Sequence, residues 1–276
     1  KIDVVATADV SLIPMLMYSA NDEESGQPYA DWYIHFATNR LALAYTPQSK
    51  YAAEINADNW YEILSRRDVR AGIADPRFDA AGYRALMAFA LAIPYYGENL
   101  IFANMFAGRM DPPLSLFRED DLATITVPEI VNPVPQSGIV IRGASVELLA
   151  LLESGELDYA FEYESVIRQH NLEMVALPDA VNLGAEGEDY SGVEVRLDFQ
   201  RFARVEPVFR GEQIGYGVTI PSNAEHAREA ELFIAFLLGP EGRAIMAANN
   251  QPLFEQPLAD NYAAVPEALR GLCAPR

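Results

Sequence analysis

The sequence predicts an α/β protein whose mainly parallel sheets are covered by helices on both faces, and three observations carry that prediction. Short apolar runs bounded by Pro, Gly, Asn or Asp, such as residues 2–6, 41–45 and 139–142, have the length of buried strands. Segments with helical spacing of apolar residues alternate with them, at 83–93, 144–154 and 224–238. Half of the 276 residues are apolar and 22% are charged, enough for a sizeable core in one or two globular domains.

Taken in order, residues 2–6 form a buried strand that breaks at Thr7-Ala-Asp9, where Asp9 or Ser11 can cap a helix over 12–18. A polar loop at 21–27 leads to strands at 32–38 and 41–45, joined by a tight turn at Asn39-Arg40. A short helix over 59–64 precedes the stretch Gly72-Ile-Ala-Asp-Pro-Arg-Phe-Asp-Ala-Ala-Gly-Tyr-Arg84. There a strand over 68–74 stops at Asp75-Pro76, small residues make a loop, and Ala81-Gly82 open a helix over 83–93 that Pro94 ends. Residues 99–106 extend as a helix, 108–113 are a turn cluster, and Glu119-Asp-Asp121 is a solvated acidic face. After the proline-rich stretch 128–136 come a strand at 139–142, a helix over 144–154 capped by Ser145, a strand at 157–163, a helical turn at 165–170 and a strand at 174–177. Residues 182–190 are a loop, 193–199 alternate as a half-exposed strand, and 214–220 are a strand ended by Pro221. The longest helix, 224–238, breaks at Gly239-Pro240 and restarts over 241–248, before an irregular tail punctuated by Pro252, Pro257, Pro266 and Pro275.

Composition excludes several functions. Twenty basic residues against 40 acidic ones give a formal charge of −20, so nucleic acid is not a partner, because phosphate binding needs a positive surface. Lys occurs only at Lys1 and Lys50; such a surface fits a salty outside medium, and equally a lineage that uses little Lys. No apolar run reaches the roughly 20 residues of a membrane span. A single Cys273 excludes an internal disulfide. The phosphate-loop, dinucleotide, nucleophile-elbow and zinc-protease motifs are absent, and His35, His170 and His226 lack ligand spacing, so no catalytic residue and no cofactor is predicted.

Two helix N-termini, at 79–82 and 143–145, each follow a strand, and Tyr163 ends a third. In an open α/β sheet the carboxyl ends of strands are where ligands bind. Backbone N–H groups at Asp79, Ala80, Ala81 and Ser145, with the Tyr163 hydroxyl, form a donor set suited to a small oxyanion without a positive side chain. The same residues also fit plain structural roles, Asp79 as a helix N-cap and Tyr163 as a core aromatic.

Specific segments add a resemblance. Asp3-Val-Val-Ala-Thr-Ala-Asp-Val-Ser-Leu-Ile-Pro14, Phe36-Ala-Thr-Asn39, Ala44-Tyr-Thr46, Ala81-Gly-Tyr-Arg84, Leu151-Leu-Glu-Ser-Gly-Glu-Leu-Asp-Tyr159, Tyr163-Glu-Ser-Val166, Gln169-His-Asn171 and Leu238-Gly-Pro-Glu-Gly242 occur in that order. In order and spacing they resemble the archaeal molybdate/tungstate-binding proteins of oxyanion ABC importers, over nearly the whole chain. The resemblance implies a type II periplasmic-binding-protein-like fold, two lobes with a ligand cleft between them. It assigns residues 1–45 plus 218–276 to lobe 1 and 46–217 to lobe 2. It implies a monomeric, extracellular, non-enzymatic receptor that delivers tungstate or molybdate to a membrane permease. It places oxyanion contacts at Asp79, Ala80, Ala81, Ser145 and Tyr163, with Asp79 coordinating the metal of the bound oxyanion directly.

The chain departs from that family twice. A second metal-coordinating carboxylate, a Glu eighteen residues before the Tyr, is Ser145 here. The family's opening strand–helix–strand with its Gly-Ser loops is not in the sequence. An additional N-terminal segment of on the order of 50 residues, carrying an export signal and a membrane anchor, is therefore expected, and lobe 1 should look incomplete. Two alternatives remain at this stage: a receptor of the same fold for another tetrahedral oxyanion such as sulfate, and a hydrolase pairing Asp79 with Glu162 or Glu164, one of them with a raised pKa.

Overall fold

In the computed structural model, which describes residues 2–199 and 208–276, the chain passes from a first unit to a second between Asn39 and Arg40 and returns between Gln213 and Ile214. Lys1 and residues 200–207, the latter inside the expected second lobe, lie outside the described residues.

The first unit is built on one sheet in the order β1-β12-β2-β13-β14. Its strands are β1 (Val5–Thr7), β2 (Ile34–Ala37), β12 (Tyr216–Thr219), β13 (Leu253–Ala259) and β14 (Ala274–Pro275). Ile-His-Phe-Ala of β2 is buried at all four positions, as a central strand covered on both faces must be. β1 is shorter than the 2–6 expected and partly exposed, with β12 as its one partner among the described residues. The reason lies at Asp3, whose Oδ1 accepts the amides of Glu225 (2.9 Å) and His226 (3.0 Å) and so draws the chain start onto the helix that follows. That helix, α6 (Ala227–Leu238), buries Ala230, Ile234 and Leu238 and leaves Leu232, Phe233 and Phe236 exposed. Gly239 ends it, and Pro240 opens α7 (Pro240–Ala248); α8 (Glu267–Arg270) follows β13. β13 lies in the tail expected to be irregular; a shift of register between Leu253 and Leu258 blurs its period-two pattern.

The second unit holds two sheets. One has the order β7-β4-β8-β3-β9, made of β3 (Leu41–Tyr45), β4 (Ala71–Ala74), β7 (Ile139–Arg142), β8 (Tyr159–Tyr163) and β9 (Glu173–Ala176). The other, β11-β10-β6-β5, joins β5 (Ser115–Glu119), β6 (Leu122–Val127), β10 (Val193–Leu197) and β11 (Val208–Arg210). Its helices are α1 (Trp60–Leu64), α2 (Ala80–Tyr96), α3 (Ile101–Phe106), α4 (Ser145–Glu153) and α5 (Glu164–Gln169). α2 contacts β3, β4 and β8 of the first of these sheets and β6 and β10 of the second. A helix between two sheets has no solvent face, which is why residues 81–90 are buried without interruption. Phe89 of α2 packs against Trp60, Phe106 and Phe161, with ring centroids 5.0–5.4 Å apart.

Several expectations need correction. The sheets are mixed rather than mainly parallel: β4 runs parallel to β7 and β8, and β10 to β6, but antiparallel pairs are the more numerous among the described strands. Asn39-Arg40 is no hairpin turn. β3 pairs with β8 and β9 of the second unit, not with β2, so residues 41–45 leave the first lobe, while β12 carries residues 216–217 into it. Pro94 lies inside α2, which ends at Gly97 in the left-handed region (φ 71°), where the Gly97 amide reaches Ile93 O. The 115–127 hairpin is not signalled by the sequence, because its exposed Phe117 and Leu122 break the strand alternation, and β10, expected half-exposed, is buried except at Arg196.

Gly82, in the first turn of α2, is held against the end of β4. A Cβ there would stand 2.3 Å from Ala74 O and 2.7 Å from Pro76 N, both backbone atoms that cannot swing away. Gly82→Ala is expected to lower stability by about 1–3 kcal/mol or more, read from urea unfolding. A variant as stable as the parent would mean that β4 and α2 do not approach this closely.

Candidate functional site

Because β4, β7 and β8 run parallel, their carboxyl ends share one edge of the sheet, and α2, α4 and α5 start directly after them. The structure thereby brings together Asp79, Ala80, Ala81, Ser145 and Tyr163, the five residues singled out in the sequence. Asp75 sets the first loop: its buried carboxylate takes a two-pronged contact from Arg77 (Nε 2.8 Å, Nη2 2.6 Å), and its carbonyl accepts the amides of Phe78 and Asp79.

Asp79 is the N-cap of α2, and its carboxylate links two helices. Oδ1 accepts the Ala81 amide at 2.8 Å, and Oδ2 accepts the Ser145 amide at 2.8 Å, from the first residue of α4. Ala144 rather than Ser145 is the N-cap of α4, and having no side-chain oxygen it leaves that service to Asp79. Ala80 is partly exposed at the first position of α2; Ala81 is fully buried, with its amide engaged by Asp79.

Ser145, 6% exposed, directs its side chain to Glu162, the penultimate residue of β8. Glu162 is 1% exposed; its Oε1 accepts the Tyr163 amide at 2.7 Å, and its Oε2 is buried with no hydrogen-bond partner. Burial, with the charge of Asp79 adding to it, pushes the Glu162 carboxyl up to about 7, against the pull of hydrogen bonds from the Tyr163 amide and Ser145. Tyr163 accepts a 2.6 Å hydrogen bond from Arg84 Nη1, and the Arg84 guanidinium also stands 5.8 Å from the Tyr163 ring and 5.5 Å from that of Tyr83.

Glu162 and Arg84 therefore belong to the same cluster; sequence reasoning placed Glu162 only as a possible partner of Asp79 and did not place Arg84. A carboxylate inside the apolar run Tyr-Ala-Phe-Glu-Tyr was the readable signal for the first. Arg84, on an all-buried helix, was the signal for the second, and it corrects the idea of a site without a positive side chain. Glu164 turns instead toward Arg168, 3.6 Å away on the same helix. Of the histidines, His35 is buried edge-on against Phe254 and held down to about 4, chiefly by burial. His170 and His226 face carboxylates of Glu153 and Asp3. Among the described residues no three His, Cys, Asp or Glu side chains stand close enough to hold a metal ion, and Cys273 is free and buried.

Glu162 makes stability depend on pH in a definite sense. Its folded pKa lies above the ordinary 4.5, so the folded state binds the proton more tightly than the unfolded one, and stability falls as pH rises from about 4.5 to about 7. Glu162→Gln removes this penalty: the variant should gain up to on the order of 3 kcal/mol relative to the parent at pH 8 and little at pH 4. Urea titrations at both pH values check it, and an equal effect at the two would show that Glu162 does not titrate in this window.

The family described as bacterial extracellular solute-binding protein matches residues 1–249. The chain is 37% identical over 276 residues to the molybdate/tungstate-binding protein WtpA of Thermococcus kodakarensis, covering 99% of this chain and 72% of that one. It is 36% identical to an uncharacterized solute-binding protein of Staphylothermus marinus, covering 98% and 74%. Among solved structures it is similar in fold to the periplasmic molybdate-binding protein of Azotobacter vinelandii, with a TM-score of 0.53 at 15% identity over 92% of this chain and 79% of the other. The sulfate-binding protein SubI of Mycobacterium tuberculosis has a TM-score of 0.51 at 12% identity over 90% and 68%. By sequence and by fold, this chain belongs to the family of extracellular solute-binding proteins.

Proposed function

We propose that this protein captures tungstate or molybdate outside the cell and, as a monomer, hands it to the permease of an ABC importer. The observation that carries the proposal is the convergence, at one sheet edge of the second unit, of the amino ends of α2 and α4 with Tyr163. Helix amino ends present N–H groups and a positive dipole to an anion. Arg84 donates to the Tyr163 hydroxyl, which polarises it into a stronger donor.

Asp79 fits a metal-centred oxyanion better than sulfate. Each carboxylate oxygen has a second lone pair, so Asp79 can keep the Ala81 and Ser145 amides and still coordinate a metal that expands its coordination. Those amides would fix its orientation in advance, as outer contacts do for metal ligands generally. Against sulfate, which offers no such metal, the same carboxylate would only repel. A hydrolase built on Asp79 and Glu162 has less support, because Glu162 is sealed from solvent.

Heating the protein with tungstate, molybdate or sulfate in turn tests the proposal, since only a ligand of the folded state raises the midpoint. Tungstate and molybdate should raise it well beyond any rise that sulfate gives; the reverse order would make this a sulfate receptor, and no response to any of the three would reject oxyanion capture. Tyr163→Phe, which keeps the ring and removes one donor, should weaken tungstate binding by about 1–3 kcal/mol in calorimetry and leave the ligand-free midpoint nearly unchanged. Unaltered affinity would take Tyr163 out of the site.

A further inference from the structure

We infer that the second unit carries a separate anion-binding pocket, between the end of α1 and the end of α3, built to hold one small phosphate-type oxyanion on Arg66, Arg67 and Arg109. The pocket has a volume of about 350 Å³, enough for such an ion with some water, and Glu62, Ser65, Asn104 and Ala107 complete its lining. It shares no residue with the Asp79, Ser145 and Tyr163 cluster.

The arrangement runs against the character of the chain. In a protein of formal charge −20, three of its arginines meet around one pocket with a single carboxylate, Glu62, among its lining residues. Arg109 is 7% exposed. Its Nη2 donates to the carbonyl of Ser65, at the C-cap of α1, but its Nη1 is buried with no hydrogen-bond partner. A buried guanidinium donor left unmatched is destabilising, so the folded protein gains from any acceptor that reaches it. Capping α1 accounts for Nη2 and leaves Nη1 unexplained.

The neighbouring cations point the same way. Burial lowers the Arg109 pKa, and the charge of Arg67 lowers it further, so two like charges crowd one another across the pocket. Arg67 is exposed and makes no ion pair among the described residues. Arg66 lies 4.1 Å over the Tyr51 ring and 3.5 Å from Glu54, a solvent-exposed pair of little strength that an entering anion can outcompete. An oxyanion with several oxygens matches the planar forks of three guanidiniums, whereas a monovalent halide matches none of them in geometry. Three cations against Glu62 favour a doubly charged ion, for which inorganic phosphate is the direct probe.

The test is calorimetry and thermal unfolding of the whole chain with inorganic phosphate at pH 7.5, against sodium chloride at equal ionic strength. Phosphate should raise the midpoint saturably where chloride does not. Arg67→Ala, at an exposed position, should weaken phosphate at least tenfold with the phosphate-free midpoint and tungstate binding unchanged, whereas Tyr163→Phe should leave the phosphate response in place. Arg109→Lys, which keeps the charge and loses the fork, should also weaken phosphate; if that variant fails to fold, Arg67→Ala still decides. The inference is overturned if phosphate does no more than chloride, if Arg67→Ala keeps the full response, or if Tyr163→Phe removes it, which would place phosphate at the strand-end cluster instead. Loss of tungstate binding in Tyr163→Phe with the phosphate response intact bears on the proposed function alone.

Discussion

The candidate site depends on one carboxylate. Asp79 holds the first turns of α2 and α4 together by accepting one amide from each, so two helices that leave different strands keep a fixed spacing at their amino ends. Without that link, two positive helix ends side by side would repel, and α4, whose own N-cap is Ala144, would leave its leading amide unmatched. The tie explains why the loop before α2 is so constrained. Asp75 folds Arg77 back on it, Asp75 O takes the amides of Phe78 and Asp79, and Gly82 lets the helix start press against Ala74. In the proposed site, structure and recognition would use the same atoms, because the carboxylate that orients the amides is the one that would meet the oxyanion.

The order of elements was largely legible in the sequence because the central strands of the second unit are short, apolar and bounded by breakers. Leu41-Ala-Leu-Ala-Tyr45 and Ile139-Val-Ile-Arg142 fall where their composition puts them. What failed were inferences about partners. Nothing local says that Leu41 pairs across to Tyr163 instead of turning back on Ala37, because that choice is made by β8 and β9, more than a hundred residues downstream. Pro94 misled for a related reason. A proline in the last turn of a helix removes few bonds when the helix is packed between two sheets, and a left-handed glycine three residues later is the stronger stop.

At the site, the residues that could be read were those tied to a local device: Asp79 by its place before a helix, Tyr163 by its place at a strand end. Ser145 was read as a cap, yet its amide is the capped group and its hydroxyl turns to Glu162. Arg84 escaped, and Glu162 was read only as one of two possible partners of Asp79, because each is defined by its surroundings. A glutamate one residue before Tyr163 points to the opposite face of the strand in simple alternation, and only the packed structure shows that this face leads to Ser145 rather than to water. Arg84 lies on a helix whose every neighbour is buried, so its charge could be placed only once Tyr163 was known to receive it.

Charge is the remaining constraint on an anion receptor of this composition. A surface of formal charge −20 repels anions at long range, and at an ionic strength near 0.15 M that repulsion is screened beyond about 8 Å. Attraction must therefore be short-ranged and come from groups held close to the ligand. The second unit holds two candidates for such an arrangement, different in kind. At the strand ends, a tyrosine polarised by buried Arg84 would give a directional donor of little net charge, beside the Ala81 and Ser145 amides that Asp79 accepts. At the end of α1, three guanidiniums supply charge outright, with one Arg109 donor already desolvated and unmatched. An acidic exterior then acts as a filter: weakly bound anions are kept from the bulk of the surface, and those that pass the screening length meet the few places where the chain has concentrated its donors.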